Sequence, residues 1–346
     1  LRARAIDVFA RQDEYIGTGF LKGWRWETFD DPTHGRVNYV DQNTALQHNL
    51  TYATNDKFVM RADSWSNVPA SARGRDSVRI SSQATYDEAV FVLDLAHMPQ
   101  GCATWPAFWT VTAAGPWPHG GEIDIIEGVH MATQNRASLH TLPGCTMASD
   151  RAQTGTTIST DCNTATNYNT GCGTQFTAPD RPPTPLSALS LPLGSVANIF
   201  TEDQVAESDI NAPAPSFGEP FNAAGGGFYA MSKTRDTGIQ VWFWPRNSPH
   251  VPPEVRWGAE IIVPGVTWGT PAASFPLDQC KYDDHFDAHQ IVFDLTFCGD
   301  WAGSAWASAG CGQGTCEDFV NDNPKAFAAA YWEVNSLRVY PKVRGW

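Results

Sequence analysis

The 346-residue chain is short of positive charge. It carries 23 Lys and Arg against 37 Asp and Glu, a formal net charge of −14 at pH 7. Phosphate binding runs on Lys and Arg, so this balance argues against a nucleic-acid or anionic-membrane partner and leaves a neutral partner open. No segment approaches the roughly 18 apolar residues of a membrane helix, so no membrane partner is expected. No CxxC occurs, which speaks against zinc ribbons and thioredoxin-like redox sites. There is no internal repeat. The chain starts at Leu1 without a Met or a signal-like apolar run, and the expectation is a leader removed or left out.

What is present points one way. Apolar residues make up 42% and charged residues 17%, a globular composition. The 14 Trp, 24 Pro and 29 Gly suggest many turns and many rings, hence an all-β protein with a stacking surface. The eight cysteines, Cys102, Cys145, Cys162, Cys172, Cys280, Cys298, Cys311 and Cys316, are even in number and scattered. They read as disulfides in an oxidising compartment, with the pairing left open. The sequon Asn49-Leu50-Thr51 fits secretion and makes Asn49 a glycosylation candidate.

Short β-like runs recur: Arg36–Val40, Lys57–Asp63, Ser77–Ile80, Ala89–Leu95, Glu122–Val129, Ile239–Pro245, Gln290–Phe297 and Val334–Tyr340. In Gln240-Val241-Trp242-Phe243-Trp244 the two Trp share one face and Val241 and Phe243 the other. In Asn335-Ser336-Leu337-Arg338-Val339-Tyr340, Leu337 and Val339 share a face with Asn335. Such alternation between Gly, Pro and Asn loops predicts antiparallel sheets in a sandwich or barrel. Helices are predicted to be few; Asn323-Pro324 reads as an N-cap and first turn for Lys325–Tyr331. The Pro-rich stretch 174–220 reads as a long loop inside one domain, 1–346, because strand patterns flank it and neither flank is complete.

The stretch Gly120-Gly121-Glu122-Ile123-Asp124-Ile125-Ile126-Glu127-Gly128 sets a puzzle. On a helix the three acids would not converge, and the β-branched isoleucines favour a strand. On a regular strand Glu122 and Asp124 share a face and Glu127 points away. A β-bulge that absorbs one residue returns Glu127 to the common face. The Cα atoms of Glu122 and Glu127 would then lie roughly 13 Å apart, and inward-leaning side chains could bring the carboxyls to the roughly 5–5.5 Å of a retaining glycosidase pair. Like-charge repulsion would keep one of them protonated near neutrality. A solvated face or a set of Ca²⁺ ligands remains open at this point. A second cluster, Asp283-Asp284-His285-Phe286-Asp287-Ala288-His289, reads as a polar loop more readily than as a metal site, for it lacks the HExxH pattern.

Trp105 and Trp109 precede these acids and Trp117 lies five residues before Glu122. Most of the fourteen Trp must pack in the core. Sugar rings, however, stack their C–H faces on indoles, and acids beside exposed indoles suit a carbohydrate cleft.

Glu122-Ile123-Asp124-Ile125-Ile126-Glu127 resembles the ExDxxE signature of glycoside hydrolase family 16. Other segments, among them Asp31–Val40, His97–Cys102, Trp105-Pro106-Ala107, Leu139-His140-Thr141, Gly225–Met231, Val241–Asn247 and Leu295–Gly303, resemble its fungal laminarinase branch, from Tyr15 to Tyr340. The resemblance implies a β-jelly-roll sandwich with a concave substrate cleft. It implies a secreted, retaining endo-hydrolase of β-1,3-glucan and mixed β-1,3/1,4-glucan, acting as a monomer on a polysaccharide partner without a cofactor, although some relatives carry a structural Ca²⁺. Carried onto this chain, it makes Glu122 the nucleophile, Glu127 the general acid/base, Asp124 the residue that orients them, and His140 a neighbour on the next strand. Trp105, Trp109, Trp117, Trp301 and Arg246 become substrate-binding candidates. A transglycosylase would use the same acids; a glucan-binding protein without catalysis would have lost them. The Pro-rich stretch is longer than the resemblance leads one to expect.

Overall fold

The computed structural model describes residues 7–177 and 214–343, so most of the expected loop at 174–220 lies outside the described residues. Two large antiparallel sheets face each other. The first runs, in spatial order, Thr156–Thr157, Cys172–Gln175, Arg136–His140, Glu122–Glu127, Thr104–Thr112, His289–Phe297, Arg79–Ser82 and Trp24–Trp26. The second runs Ala273–Phe275, Gly238–Pro245, Gly227–Thr234, Ala89–His97, Tyr331–Pro341, Phe58–Arg61 and Thr51–Ala53, with Asp13–Tyr15 added beside Tyr331–Pro341. The order crosses back and forth in sequence, as a jelly roll requires.

Alternation explains the layers. Ile80, Phe108, Ile123, Leu139 and Phe293 of the first sheet meet Phe58, Phe91, Leu93, Tyr229, Val241 and Leu337 of the second in one buried cluster. The second sheet is buried on its outer face too. There Val90, Val92, Phe228, Trp242 and Trp244 pack under Trp268 and Val255. Trp242 and Trp244 therefore do share the face opposite Val241 and Phe243. The first sheet's outer face carries polar groups, and that asymmetry leaves it free for a site.

Three expectations need correction. Asn323 stands at the N-cap position with Pro324 in the first turn, but the helix does not run over Lys325–Tyr331: its side chain makes no capping bond and donates instead to Phe319 O at 3.1 Å, the helical turn stops at Phe327, and Tyr331 already begins a strand. Asn335 does not share the core face of Leu337 and Val339. A register shift between Val334 and Ser336 puts Val334 in the core, and Asn335 donates to Asp94 at 2.9 Å. Ser77–Ile80 is not one strand but the meeting of two: Arg75–Ser77 pairs in parallel with Val37–Tyr39, and Arg79–Ser82 belongs to the first sheet.

All eight cysteines are paired: Cys102–Cys311, Cys145–Cys280, Cys162–Cys172 and Cys298–Cys316. This choice among the possible pairings depends on which loops the sandwich brings together.

Candidate active site

The acids lie on a strand in the middle of the first sheet, Glu122–Glu127. Two left-handed glycines lead into it. Gly121 has φ +79°, and a Cβ there would stand 2.6 Å from His285 O, so the chain needs glycine to enter the strand so close to its neighbour.

Along the strand the bulge is present. Asp124 pairs with Trp109 and Ile126 with Phe108, leaving Ile125 as the extra residue. On the other edge, Asp124 pairs with Ser138 and Glu127 with Arg136, again with a shift between them. Both Ile125 and Ile126 are fully buried. Glu122, Asp124 and Glu127 accordingly share the outer face with Trp105 and Trp109 of one neighbouring strand and Arg136 and His140 of the other.

The bulge has a clamp that sequence reading missed. Fully buried Asn135 donates from Nδ2 to Ile125 O at 2.8 Å and accepts the Glu127 N–H on Oδ1 at 3.0 Å. The backbone groups that the extra residue takes out of the ladder are thereby satisfied. Asn135 is itself held by Ser216, whose hydroxyl accepts its N–H at 2.9 Å. An Asn just ahead of a strand carries no local sign of this task.

Each glutamate receives one indole N–H. Trp117 donates to Glu122 Oε2 at 2.9 Å and Trp105 to Glu127 Oε1 at 2.8 Å. Trp301 meets Trp105 edge-on, with ring centroids 5.7 Å apart, and the Arg136 guanidinium lies 5.4 Å from the Trp301 ring centre. His140 puts Nε2 at 3.3 Å from Asp124 Oδ2 and Nδ1 at 3.0 Å from Asn169 Oδ1.

Electrostatics follow from this crowding. Burial and then the Asp124 charge push Glu122 up to about 8 and Glu127 up to about 7, against the contrary pull of the indole N–H groups and His140. The two carboxyls titrate as a pair. Burial alone would lower His140. Its bond to Asp124 and the charges of Asp124, Glu122 and Glu127 outweigh that, and it is pushed up to about 9. Glu122, Asp124 and His140 bring ligand atoms within 4.8 Å of one another, a spacing that would also suit a cation. When protonated, the His140 imidazolium offsets part of the acids' charge.

Trp109 belongs to a second group on the same face. Its N–H donates to Asp294 Oδ1 at 2.7 Å, and Tyr39 O–H donates to Asp294 Oδ2 at 3.3 Å. The Arg79 guanidinium sits 5.0 Å from the ring centres of both Trp109 and Phe29. Burial pushes Asp294 up to about 6 despite Arg79 and the Trp109 bond. Asp294 and Arg79 were absent from the sequence reading. The available signal was an isolated acid in the otherwise apolar run Gln290–Phe297.

Arg246 does not join the site. It pairs with Asp94 at 2.6 Å, donates to the carbonyls of Gly225 and Leu95, and lies over Phe228. Those partners belong to the second sheet and its outer face, on the far side of the sandwich from the acids. The Asp283–His289 cluster is likewise dispersed. His289 is held by Thr110 and Gly120 O in the first sheet, Asp283 pairs with Arg235, and His285 ends a short helix. Asn49 is exposed with φ 53°, just past a short helix.

The family model for the XgeA-like catalytic domain of glycoside hydrolase family 16 matches residues 24–181 and 196–340, passing over part of the Pro-rich stretch. A probable glycosidase of Schizosaccharomyces pombe is 39% identical over 94% of this chain and 68% of its own length. A probable endo-1,3(4)-β-glucanase of Aspergillus fumigatus is 35% identical over 98% of this chain, which spans only 46% of that protein. Laminarinase 16A from Phanerochaete chrysosporium, solved with 6-O-glucosyl-laminaritriose in donor and acceptor sites, is 44% identical with a TM-score of 0.82, covering 96% of this chain and 99% of that one. An elongating family 16 β-1,3-glucosyltransferase is 34% identical with a TM-score of 0.78, at 96% and 99% coverage.

Proposed function

Since the chain belongs to glycoside hydrolase family 16, in its XgeA-like branch, we propose that it works as a secreted, endo-acting, retaining β-glucanase on β-1,3-glucan and mixed β-1,3/1,4-glucan. The observation that carries this reading is the bulge that returns Glu127 to the face of Glu122 and Asp124, with one indole N–H on each glutamate.

The proposed reaction has two displacements. Glu127 gives its proton to the glycosidic oxygen as the Glu122 carboxylate bonds to the anomeric carbon, and the bond to the leaving sugar breaks. Glu127, now a base, takes a proton from water as the water oxygen displaces Glu122 from the same carbon. Glu127 ends protonated and Glu122 ionised, so the cycle closes without a cofactor. Burial and the Asp124 charge raise both glutamates above the usual carboxylate range, so in the free protein the pair retains a proton near neutrality. Productive attack needs that proton on Glu127. Positive charge developing at the anomeric carbon favours an ionised Glu122, and the glycosidic oxygen faces the proton on Glu127. The roles therefore follow the order of the motif, and substrate binding completes the proton's placement. The four disulfides support an oxidising, extracellular setting.

Incubation with laminarin, and separately with a mixed-linkage glucan, tests the reading. Reducing ends should rise together with short oligosaccharides from both. A second reading is favoured by the glucosyltransferase relative: the same glycosyl-enzyme passed to a sugar hydroxyl instead of water. Longer products with flat reducing ends would establish that one and displace hydrolysis.

A further inference from the structure

Away from the acids, the loop 63–74 walls a cavity of about 490 Å³, bordered among others by Asn38, His48, Trp65, Asn67, Arg73 and Asp76. That volume lies within the roughly 300–1,000 Å³ of small-molecule sites. Trp65 is half exposed, and the Arg61 guanidinium lies 5.4 Å from its ring centre, which holds the indole in place. The loop is firmly built. Buried Asp63 accepts the N–H groups of Trp65 and Ser66 at 2.8 and 3.2 Å, and fully buried Arg75 donates to Asp63 O and Ser66 O at 2.9 and 3.0 Å. Arg36 donates to Ala72 O and Pro69 O at 2.5 and 3.0 Å. Polar groups crowd the rim: Asn38 donates to Asp76 at 2.6 Å, His48 stands 3.8 Å from the same carboxylate, and Arg73 pairs with Asp30 at 2.8 Å.

A rigid indole with one face available, ringed by a carboxylate, an amide, an imidazole and a guanidinium, matches a pyranose: an apolar C–H face with hydroxyls around its edge. We propose that this cavity is a carbohydrate-binding site separate from the catalytic acids. Trp65 takes the ring face, and Asp76, Asn38 and Arg73 take hydroxyls. The proposal rests on the carbohydrate reading above for the identity of one source of sugar. That source is the glucan itself. Arg73 also donates to the carbonyls of Thr28 and Phe29, and the Arg79 guanidinium lies over both Phe29 and Trp109, so a chain of side-chain contacts runs from the cavity's rim to the outer face of the first sheet. The other source is a sugar linked to Asn49. His48 and Leu50 border the cavity on either side of it, and Arg61 donates to Asn49 O at 2.9 Å.

The test compares wild type and Trp65→Ala, each as glycosylated protein from a secreting host and in an Asn49→Gln background. Three readouts are taken: retention on insoluble linear β-1,3-glucan, melting temperature, and turnover of a soluble β-1,3-glucopentaose. With glucan as occupant, Trp65→Ala weakens retention roughly threefold to tenfold in both backgrounds, as loss of one aromatic contact would, and pentaose turnover is unchanged. With the linked sugar as occupant, Trp65→Ala lowers the melting temperature of the glycosylated protein only, and Asn49→Gln frees the cavity and increases retention. Retention and melting that ignore Trp65 in every background overturn the proposal. So does a parallel fall of retention and pentaose turnover, which would place Trp65 within the catalytic cleft. A wild type inert toward the pentaose would refute the glucanase reading, while the retention series would still judge the cavity.

Discussion

At the residue scale the acids are in tension with the fold. An unfolded glutamate titrates near 4.5, whereas Glu122 and Glu127 are raised to about 8 and about 7 in the folded protein. The folded state then binds more protons than the unfolded one between these values, so stability falls as pH rises from 4.5 through 8. His140 adds to the same trend: its raised value gives stability that is full below 6.5 and lost as pH climbs through about 9. Glu122→Gln should therefore melt above wild type at pH 8 and gain little at pH 4, while activity collapses; a variant that melts below wild type at pH 8 would refute this. Glu127→Gln should lose about 10²–10⁴-fold in kcat, the usual share of acid–base catalysis. Trp105→Phe keeps the ring and deletes the N–H on Glu127. Losing that bond to the charged form should move the alkaline limb of the kcat/KM profile upward by roughly one unit, and an unmoved limb would show that the indole serves only as a ring. The three acids were legible because their rule is local: two-residue alternation broken once. Arg246 was misplaced because its sheet is decided by partners far away in sequence, Asp94 and Gly225.

At the scale of elements, the bulge joins chemistry to sheet geometry. It was legible from isoleucines at two successive positions, 125 and 126, which a regular strand would have split between core and cleft. Its support was not legible, because Asn135 acts from just outside the strand Arg136–His140 through two hydrogen bonds of its side chain. The strand Thr104–Thr112 is not among the β-like runs of the sequence, and Pro106 by itself speaks against a central strand. The proline is tolerated because pairing with the acid strand stops at Ala107, so Pro106 has a partner on one side only, Leu295. Asn135→Ala should leave the buried Glu127 N–H and Ile125 C=O without partners, costing about 1–3 kcal/mol of stability. The same change frees the bulge to slide, so kcat should fall more than KM changes. Calorimetry with steady-state kinetics decides the matter: a folded Asn135→Ala protein with unchanged kcat would mean that the ladder alone positions Glu127.

At the scale of the whole molecule, alternation pointed to antiparallel sheets in a sandwich or barrel, the family resemblance narrowed this to a jelly-roll sandwich, and a neutral polymer partner agrees with the charge of −14. The stretch 178–213 stays outside the described residues. The disulfides were legible as a class and their pairing was not, because two of the four bridges join segments that only the folded sheets bring together. Their spans divide the work. Cys102–Cys311 and Cys145–Cys280 close 209 and 135 residues, whereas Cys162–Cys172 closes 10. By chain entropy, removing either long bridge should cost about 5 kcal/mol and removing the short one about 3 kcal/mol. The effect on activity should run the other way. The short bridge ties down the loop that carries Asn169, the partner of His140, and Thr170, whose carbonyl accepts from Arg136 at 2.9 Å. Replacing Cys162 and Cys172 by Ala should therefore lower kcat and shift the pH profile at a temperature where the protein is fully folded. Replacing Cys145 and Cys280 should mainly lower the melting temperature. Melting curves and pH–rate profiles of both double variants would decide it; a short-bridge variant with wild-type kinetics would show that the strands Arg136–His140 and Glu122–Glu127 hold His140 against Asp124 unaided.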